Sequence, residues 1–248
     1  MVPENESLFS LKKWRVASAG REPLPVSAAL ALFLLIALTQ IGGEHLFFHL
    51  FPKATRLEVL WFVGLLRLFD FGLIVLFSFL YRRSLAAIGM SRDTARKGIS
   101  LGLFWSFWFG LVVFSAWGIG LIFRLNLFRF LGSPTASVPT VYFVWLILIG
   151  GIFAPVVEDS LFVGCLYHAL RKKFPVLPAA LGISLLFALL HGFSGSFPLV
   201  QFIGGVIFAL AFEHSGSILT PVSIHILGNC TLFALSCQPW LKDILLRW

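Results

Sequence analysis

Long apolar runs separated by short polar stretches follow one another along this chain. After a polar, basic lead of residues 1–24, seven apolar segments occupy residues 26–50, 57–81, 99–123, 141–170, 177–190, 199–212 and 219–237. A helix needs about 20 apolar residues to cross the hydrocarbon layer of a bilayer. These runs are continuous rather than alternating, so helices are favoured over a closed barrel. The pattern predicts an all-α fold, a polytopic transmembrane bundle with about seven to eight membrane-spanning helices.

The fourth apolar segment, 141–170, is too long for one untilted crossing and contains Pro155. A proline kinks or breaks a helix, so this segment forms two pieces if the count is eight. Gly132, Ser133 and Pro134, with Pro139 directly after them, make residues 125–138 the clearest turn region. We therefore expect four parts: the lead 1–24, peripheral transmembrane helices 25–138, a helical core 139–237 and a tail 238–248.

Composition and charge place the chain in the membrane. Hydrophobic residues make up 58% and charged residues 12%, whereas a soluble domain averages about 45–50% and about 25%. The net charge of +8 comes from basic residues clustered in the lead, in loop 82–98 and at 171–173. Such clusters mark cytoplasmic loops, which predicts a cytoplasmic N-terminus. We therefore expect the protein to have the lipid bilayer as a partner and not to bind nucleic acid.

Ionisable side chains are costly inside a bilayer and are functional candidates there. Arg67 and Asp70 lie three residues apart on the second span, so we interpret them as a pair across one turn. Glu44, His45 and His49 lie near the end of the first span. The two histidines share a helix face, which makes a metal site conceivable, but a helix end at the headgroup layer tolerates them without a function.

A second set of polar residues lies in the apolar segments of the second half. Glu158 and Asp159 are neighbours in the middle of segment 141–170. Two adjacent carboxylates in a low dielectric cannot both ionise freely. This is the environment in which a carboxylate becomes a general base near neutral pH.

Three further polar side chains complete this set. His191 ends the fifth segment, four residues after Phe187 on the same helix face, and His225 and Asn229 are spaced i, i+4 on the last segment. Three helices thus deliver a carboxylate, an imidazole and an imidazole–amide pair, which together offer a base for water and donors for an oxyanion. The alternative is that these polar groups only hold helices together.

The same residues stand in three ordered segments: APVVEDSLFVG (154–164), FALLH (187–191) and HILGN (225–229). They resemble the three motifs of the CPBP family of intramembrane proteases, also called the CAAX-protease or Abi family. Those motifs are a Glu-Glu-x-x-x-Arg helix, a Phe-x-x-x-His helix and a His-x-x-x-Asn/Asp helix. The resemblance covers about residues 140–237 and implies that 139–237 is a CPBP-like catalytic core.

The resemblance implies an intramembrane endopeptidase of the glutamate type. Glu158, assisted by His191, would activate water, and His225 with Asn229 would stabilise the oxyanion. The remaining implied site residues are an orienting Asp159 and a substrate-binding set, Phe162, Val163 and Phe187. We expect no cofactor and no metal, because the motif helices carry no HExxH and asparagine is a poor zinc ligand; a zinc peptidase is the alternative.

Two positions depart from the family pattern. The second glutamate is Asp159, and the motif arginine is Val163, which removes a cation able to pair with a carboxylate. The alternative is therefore a catalytically inactive member that acts as a membrane scaffold, immunity or binding protein. As an enzyme, it is expected in the bacterial inner (plasma) membrane, where it cleaves a membrane, lipidated or tail-anchored protein, such as one with a C-terminal sorting tail.

Overall fold

The computed structural model describes residues 22–123, 138–192 and 197–237. Within these ranges the chain is helical and contains no strand, which confirms the all-α prediction. In this part of the chain seven long helices follow one another: α1 (Val26–Leu50), α2 (Arg56–Arg82), α3 (Arg92–Ile122), α4 (Thr140–Leu170), α5 (Val176–His191), α6 (Leu199–Ser215) and α7 (Leu219–Ser236). A short 3₁₀ helix, Leu85–Ile88, lies between α2 and α3. Most of the lead, the turn region up to residue 137 and the tail lie outside the described residues.

Five of these helices are long and apolar enough to cross a membrane, namely α1, α2, α3, α4 and α7. Helices α5 and α6 are apolar but shorter, with 16 and 17 residues. Large apolar side chains cover the outer surface; Leu38, for example, is 69% exposed and Ile122 is 78% exposed. Such a surface suits lipid rather than water. The chain is an integral membrane protein with a helical bundle of several spans.

Helix α4 passes through Pro155 without a break, so the fourth apolar segment is one helix. Two stretches of α4 are π-helical, Ile147–Phe153 and Ser160–Tyr167, with a short α-helical piece between them. A π-helix bonds each N–H to the carbonyl five residues earlier, as Ala154 does to Ile149. Pro155 comes next and needs no N–H partner, so its missing donor affects one carbonyl and does not end the helix.

The hydrophobic core joins the two halves of the chain around α4. Every residue from Val157 to Ala169 is buried. Leu32 on α1 and Ile74 on α2 belong to the same apolar cluster as Leu161 on α4. The first helices therefore pack directly on the helix that carries the two adjacent carboxylates.

Helices α3 and α7 approach closely because glycines on α3 face α7. A Cβ at Gly102 would lie 2.6 Å from the Cβ of Ser223 and 2.9 Å from the carbonyl oxygen of Thr220. Small residues allow such close backbone contact between helices in membranes. A Cβ at Gly110, two turns further along α3, would have no atom of the described residues within 4 Å.

This difference predicts unequal effects of one substitution at two sites of the same helix. Gly102→Ala is expected to lower the free energy of unfolding by about 1–3 kcal/mol, since overpacking shifts the backbone. Gly110→Ala is expected to change it little. Thermal unfolding in detergent measures both, and equal losses at the two sites would contradict the packing described.

A second polar cluster lies at the end of α4, away from the adjacent carboxylates. Arg171 donates from Nη2 to Oε1 of Glu213 (2.8 Å) and from Nε to its Oε2 (3.0 Å). The hydroxyl of Tyr167 donates to Oε2 as well, at 2.9 Å. The hydrogen bonds to Glu213 raise the pKa of Arg171 further above its ordinary value, so the guanidinium stays charged. This cluster fastens α4 to α6.

Loss of this arginine is expected to destabilise the bundle strongly. Arg171→Ala leaves the fully buried Glu213 side chain without its countercharge, which costs about 3 kcal/mol. Arg82→Ala is the matched control, because its partner Glu22 is 71% exposed and such a pair contributes at most about 1 kcal/mol. Thermal unfolding of both variants tests the contrast; shifts of the same size would show that burial of Glu213 is unimportant.

Candidate active site

The carboxylates of Glu158 and Asp159 lie in the middle of α4 and face α7. Glu158 is 9% exposed and Asp159 is 1% exposed. Nδ1 of His225 lies 3.2 Å from Oδ1 of Asp159, and its Nε2 lies 4.0 Å from Oε2 of Glu158. The imidazole of His225 therefore contacts both carboxylates, one with each ring nitrogen. A carboxylate accepts hydrogen bonds, so the contact with Asp159 favours the hydrogen on Nδ1.

Aromatic rings hold His225 in this orientation. The ring of Phe208 on α6 stacks on the imidazole with centroids 4.6 Å apart and planes 22° apart. The ring of Phe187 on α5 meets it edge-on at 6.2 Å. Apolar walls of this kind limit water and strengthen the electrostatic contacts between the imidazole and the carboxylates.

Asn229 lies one turn after His225 and also contacts α4. Its Nδ2 donates to the carbonyl oxygen of Gly150 at 3.1 Å. That carbonyl lies five residues before Pro155, so it is the one whose π-helical donor the proline removes. Asn229 therefore satisfies a backbone acceptor that proline left open, and one of its two amide hydrogens remains for another acceptor.

His191 ends α5 and is exposed. Its Nδ1 lies 2.8 Å from the carbonyl oxygen of Phe187, and its ring lies 4.4 Å from the ring of Phe187. Within the described ranges it makes no ion-pair contact with Glu158, and Phe187 touches the imidazoles of both His191 and His225. The sequence suggested a Glu158–His191 pair; the imidazole that the structure places beside Glu158 is that of His225.

The three residues expected to bind substrate lie in the core beside this site. The rings of Phe162 and Phe187 meet edge-on with centroids 5.1 Å apart. Phe162, Phe187 and Val163 are 7%, 5% and 2% exposed. The structure brings Phe162 and Phe187 together, and it places Val163 on the same buried stretch of α4.

Arg67 is a site residue that the sequence interpretation missed. The expected pair with Asp70 is confirmed, with Nη1 3.6 Å from Oδ2. In addition, Nη2 of Arg67 lies 3.3 Å from Oε1 of Glu158. No spacing rule connects residues on α2 and α4. The sequence held one indication of its role. Arg67 is a cation in an apolar span, and the segment 154–164 has valine at position 163, where the family pattern has an arginine.

The residues described here contain no group of three or more His, Cys, Asp or Glu side chains arranged to hold a metal ion. Glu44, His45 and His49 are all exposed at the end of α1. At the candidate active site, one oxygen of the Glu158 carboxylate contacts the guanidinium of Arg67 and the other faces the imidazole of His225. A base next to hydrogen-bond donors is an arrangement that can activate water and stabilise an anion.

Comparison with known proteins finds a family model that matches the part of the chain that carries this site. Residues 139–231, less than half of the 248-residue chain, match the family model described as type II CAAX prenyl endopeptidase Rce1-like. No curated protein and no solved structure matches the chain. The matched range contains all three motif segments and the Glu158, His191, His225 and Asn229 side chains. Residues 139–231 are therefore similar to the CAAX-type membrane protease family that this model describes.

Proposed function

We propose that the chain is an intramembrane endopeptidase of the glutamate type that cleaves a membrane-associated protein near the bilayer surface. One observation carries this proposal. The carboxylate of Glu158 lies in the buried stretch of α4, with Arg67 at one oxygen and His225, anchored by Asp159, at the other. An ionisable group in this position is costly in a membrane and is a functional candidate.

In the proposed reaction, Glu158 removes a proton from water while the water oxygen attacks the carbonyl carbon of the scissile bond. The oxyanion that forms is stabilised by doubly protonated His225, whose Nδ1 donates to Asp159 and whose Nε2 donates to the oxyanion, and by the remaining amide hydrogen of Asn229. The proton on Glu158 then passes to the leaving nitrogen as the carbon–nitrogen bond breaks. His191 assists from the exposed end of α5, where its Nδ1 is engaged by the carbonyl oxygen of Phe187 and its Nε2 is left for the substrate.

The side of the membrane on which we propose that cleavage occurs is inferred from the basic loops. Arg171 pairs with Glu213, and the backbone N–H of Ile218 donates to the carbonyl of Gly89, so these segments lie at one end of the bundle. Cationic loops are retained in the cytoplasm. With a cytoplasmic N-terminus, the end of α5 that carries His191 faces the other side. This arrangement favours a substrate that is exported, such as a lipidated or tail-anchored protein with a sorting tail in a bacterial inner membrane.

Reconstitution into lipid vesicles tests the reaction. Two probes are used, a prenylated-cysteine peptide and a reporter with one C-terminal transmembrane segment, each with its cleavable region on a defined side of the vesicle. Mass spectrometry in ¹⁸O-labelled water should find one new C-terminus that carries one ¹⁸O atom. The Glu158→Gln variant is the negative control, and cleavage from one side only assigns the orientation.

The same assay separates the competing interpretations. A zinc peptidase would contain stoichiometric metal after purification and would lose activity with a chelator, whereas the proposed enzyme keeps its activity. An inactive family member, which the valine at position 163 favours, would bind a probe without cleaving it. Retention of a probe by both wild type and Glu158→Gln, with no product from either, would support that alternative.

A further inference from the structure

Arg67 is a cation in a membrane-spanning helix and is balanced by two carboxylates on two helices. Its Nη1 lies 3.6 Å from Asp70 on its own helix, and its Nη2 lies 3.3 Å from Glu158 on α4. A lone charge at the centre of a membrane span is costly. Countercharges on both sides offset this cost and fix the direction of the guanidinium.

Asp70 holds Arg67 in place and is itself held by α1. Its side chain is fully buried, and its Oδ2 accepts a hydrogen bond from Nε2 of Gln40 at 2.5 Å. A continuous series of polar contacts therefore runs from α1 through α2 to the carboxylate of Glu158 on α4. Such a series restricts each side chain to one arrangement.

The backbones of α2 and α4 come close at this point. A Cβ at Gly64, three residues before Arg67, would lie 2.9 Å from the side chain of Ile149 on α4. The absence of a side chain at Gly64 lets α2 lie against α4 near Arg67. Close helix approach of this kind is what small residues permit in membrane bundles.

Helix α4 lacks the arginine that the family pattern has after its two carboxylates. Position 163, five residues after Glu158, is valine and is 2% exposed. We propose that Arg67 is a positioning residue that holds Oε1 of Glu158 and supplies from α2 the positive charge that position 163 lacks. Oε2 is then the oxygen that faces His225 and takes the proton from water. This inference rests on the proposed peptidase function.

Removal and relocation of the charge test the inference in the vesicle assay. Arg67→Gln is expected to lower kcat about 10–100-fold, as the loss of a group that orients a reactive side chain does. KM should stay within about threefold of the wild-type value, because the lost interaction acts in the transition state and not in substrate binding. Arg67→Lys should keep part of kcat, since it keeps the charge. Adding Val163→Arg to Arg67→Gln should restore at least about tenfold in kcat.

Two matched variants control this experiment. Adding Val163→Gln to Arg67→Gln introduces a long polar side chain without charge and should restore nothing. Arg82→Gln removes another arginine of α2 that pairs with Glu22 and hydrogen-bonds to the carbonyl of Pro23, and should leave kcat unchanged. All variants are compared at a temperature at which detergent-phase unfolding curves show them folded.

Several results would overturn the inference. An unchanged kcat in folded Arg67→Gln removes the positioning role, as does equal rescue by glutamine and arginine at position 163. A thermodynamic cycle with Arg67→Gln and Glu158→Gln measures the contact by stability alone, without activity. If wild type is active but the cycle shows no coupling, the contact is rejected and the peptidase stands. If wild type cleaves neither probe, the peptidase function fails and the positioning role fails with it, whatever the coupling.

Discussion

Replacing Glu158 with glutamine is expected to lower kcat/KM for cleavage by about 10³-fold while the protein stays folded in the membrane. The amide has the shape of the carboxylate and still accepts a hydrogen bond from Arg67, but it does not take a proton from water. A positioned general base contributes about 10²–10⁴-fold to a rate. Initial rates with both vesicle probes, at equal amounts of folded protein, measure the loss.

Glu213→Gln is the matched control for this substitution. Glu213 is also a buried glutamate, 3% exposed, but it is bound by Arg171 and Tyr167 away from His225. We expect that variant to unfold at a lower temperature and to retain activity while folded. Activity of Glu158→Gln within tenfold of wild type would remove Glu158 from the chemistry, whatever the behaviour of the control.

Replacing His225 is expected to have the second largest effect, and two substitutions separate its two roles. His225→Phe keeps an aromatic ring between Phe187 and Phe208 but leaves Asp159 buried without a donor. We expect a loss of about 10²–10³-fold in kcat together with about 1–3 kcal/mol of stability. His225→Gln keeps a donor for Asp159, so we expect most of the stability to return and kcat to stay low.

Unfolding temperature and kcat, measured on the same preparations, test this separation. His168→Gln serves as control, because His168 is another buried histidine whose Nδ1 contacts the carbonyl of Ala87 rather than a carboxylate. It should change stability with no loss of kcat in the folded protein. If His225→Gln recovers kcat along with stability, the imidazole has only a structural role.

The helices could be predicted from sequence because the bilayer requires each apolar segment to satisfy its own backbone. The first segment was predicted at 26–50, and α1 covers Val26–Leu50. The third was predicted to begin at residue 99, whereas α3 begins at Arg92. Hydropathy marks the part of a helix within the hydrocarbon, and the basic residues before it continue the same helix outside.

Sequence predicted those features of the site that depend on the spacing of residues along one helix. His225 and Asn229, i and i+4, both contact α4 as that spacing suggests. The spacing of residues along one helix does not tell which helices pack together. The contact between Arg67 and Glu158 therefore could not be predicted from the sequence. The π-helical turns of α4 also change the period of the helix from 3.6 residues, which shifts the faces that a regular period assigns.

The wide turns of α4 have a consequence for insertions and deletions. A π-helical turn holds one residue more than a regular α-helical turn, so it behaves as an insertion that the helix has absorbed. Deleting one residue from 147–153 would leave a regular helix of almost the same length. Each residue of an α-helix turns the chain by about 100°, so Glu158 and Gly150 would no longer face α7 together. The helix would survive such a deletion, but His225 and Asn229 would lose the shared face on which both of their contacts depend.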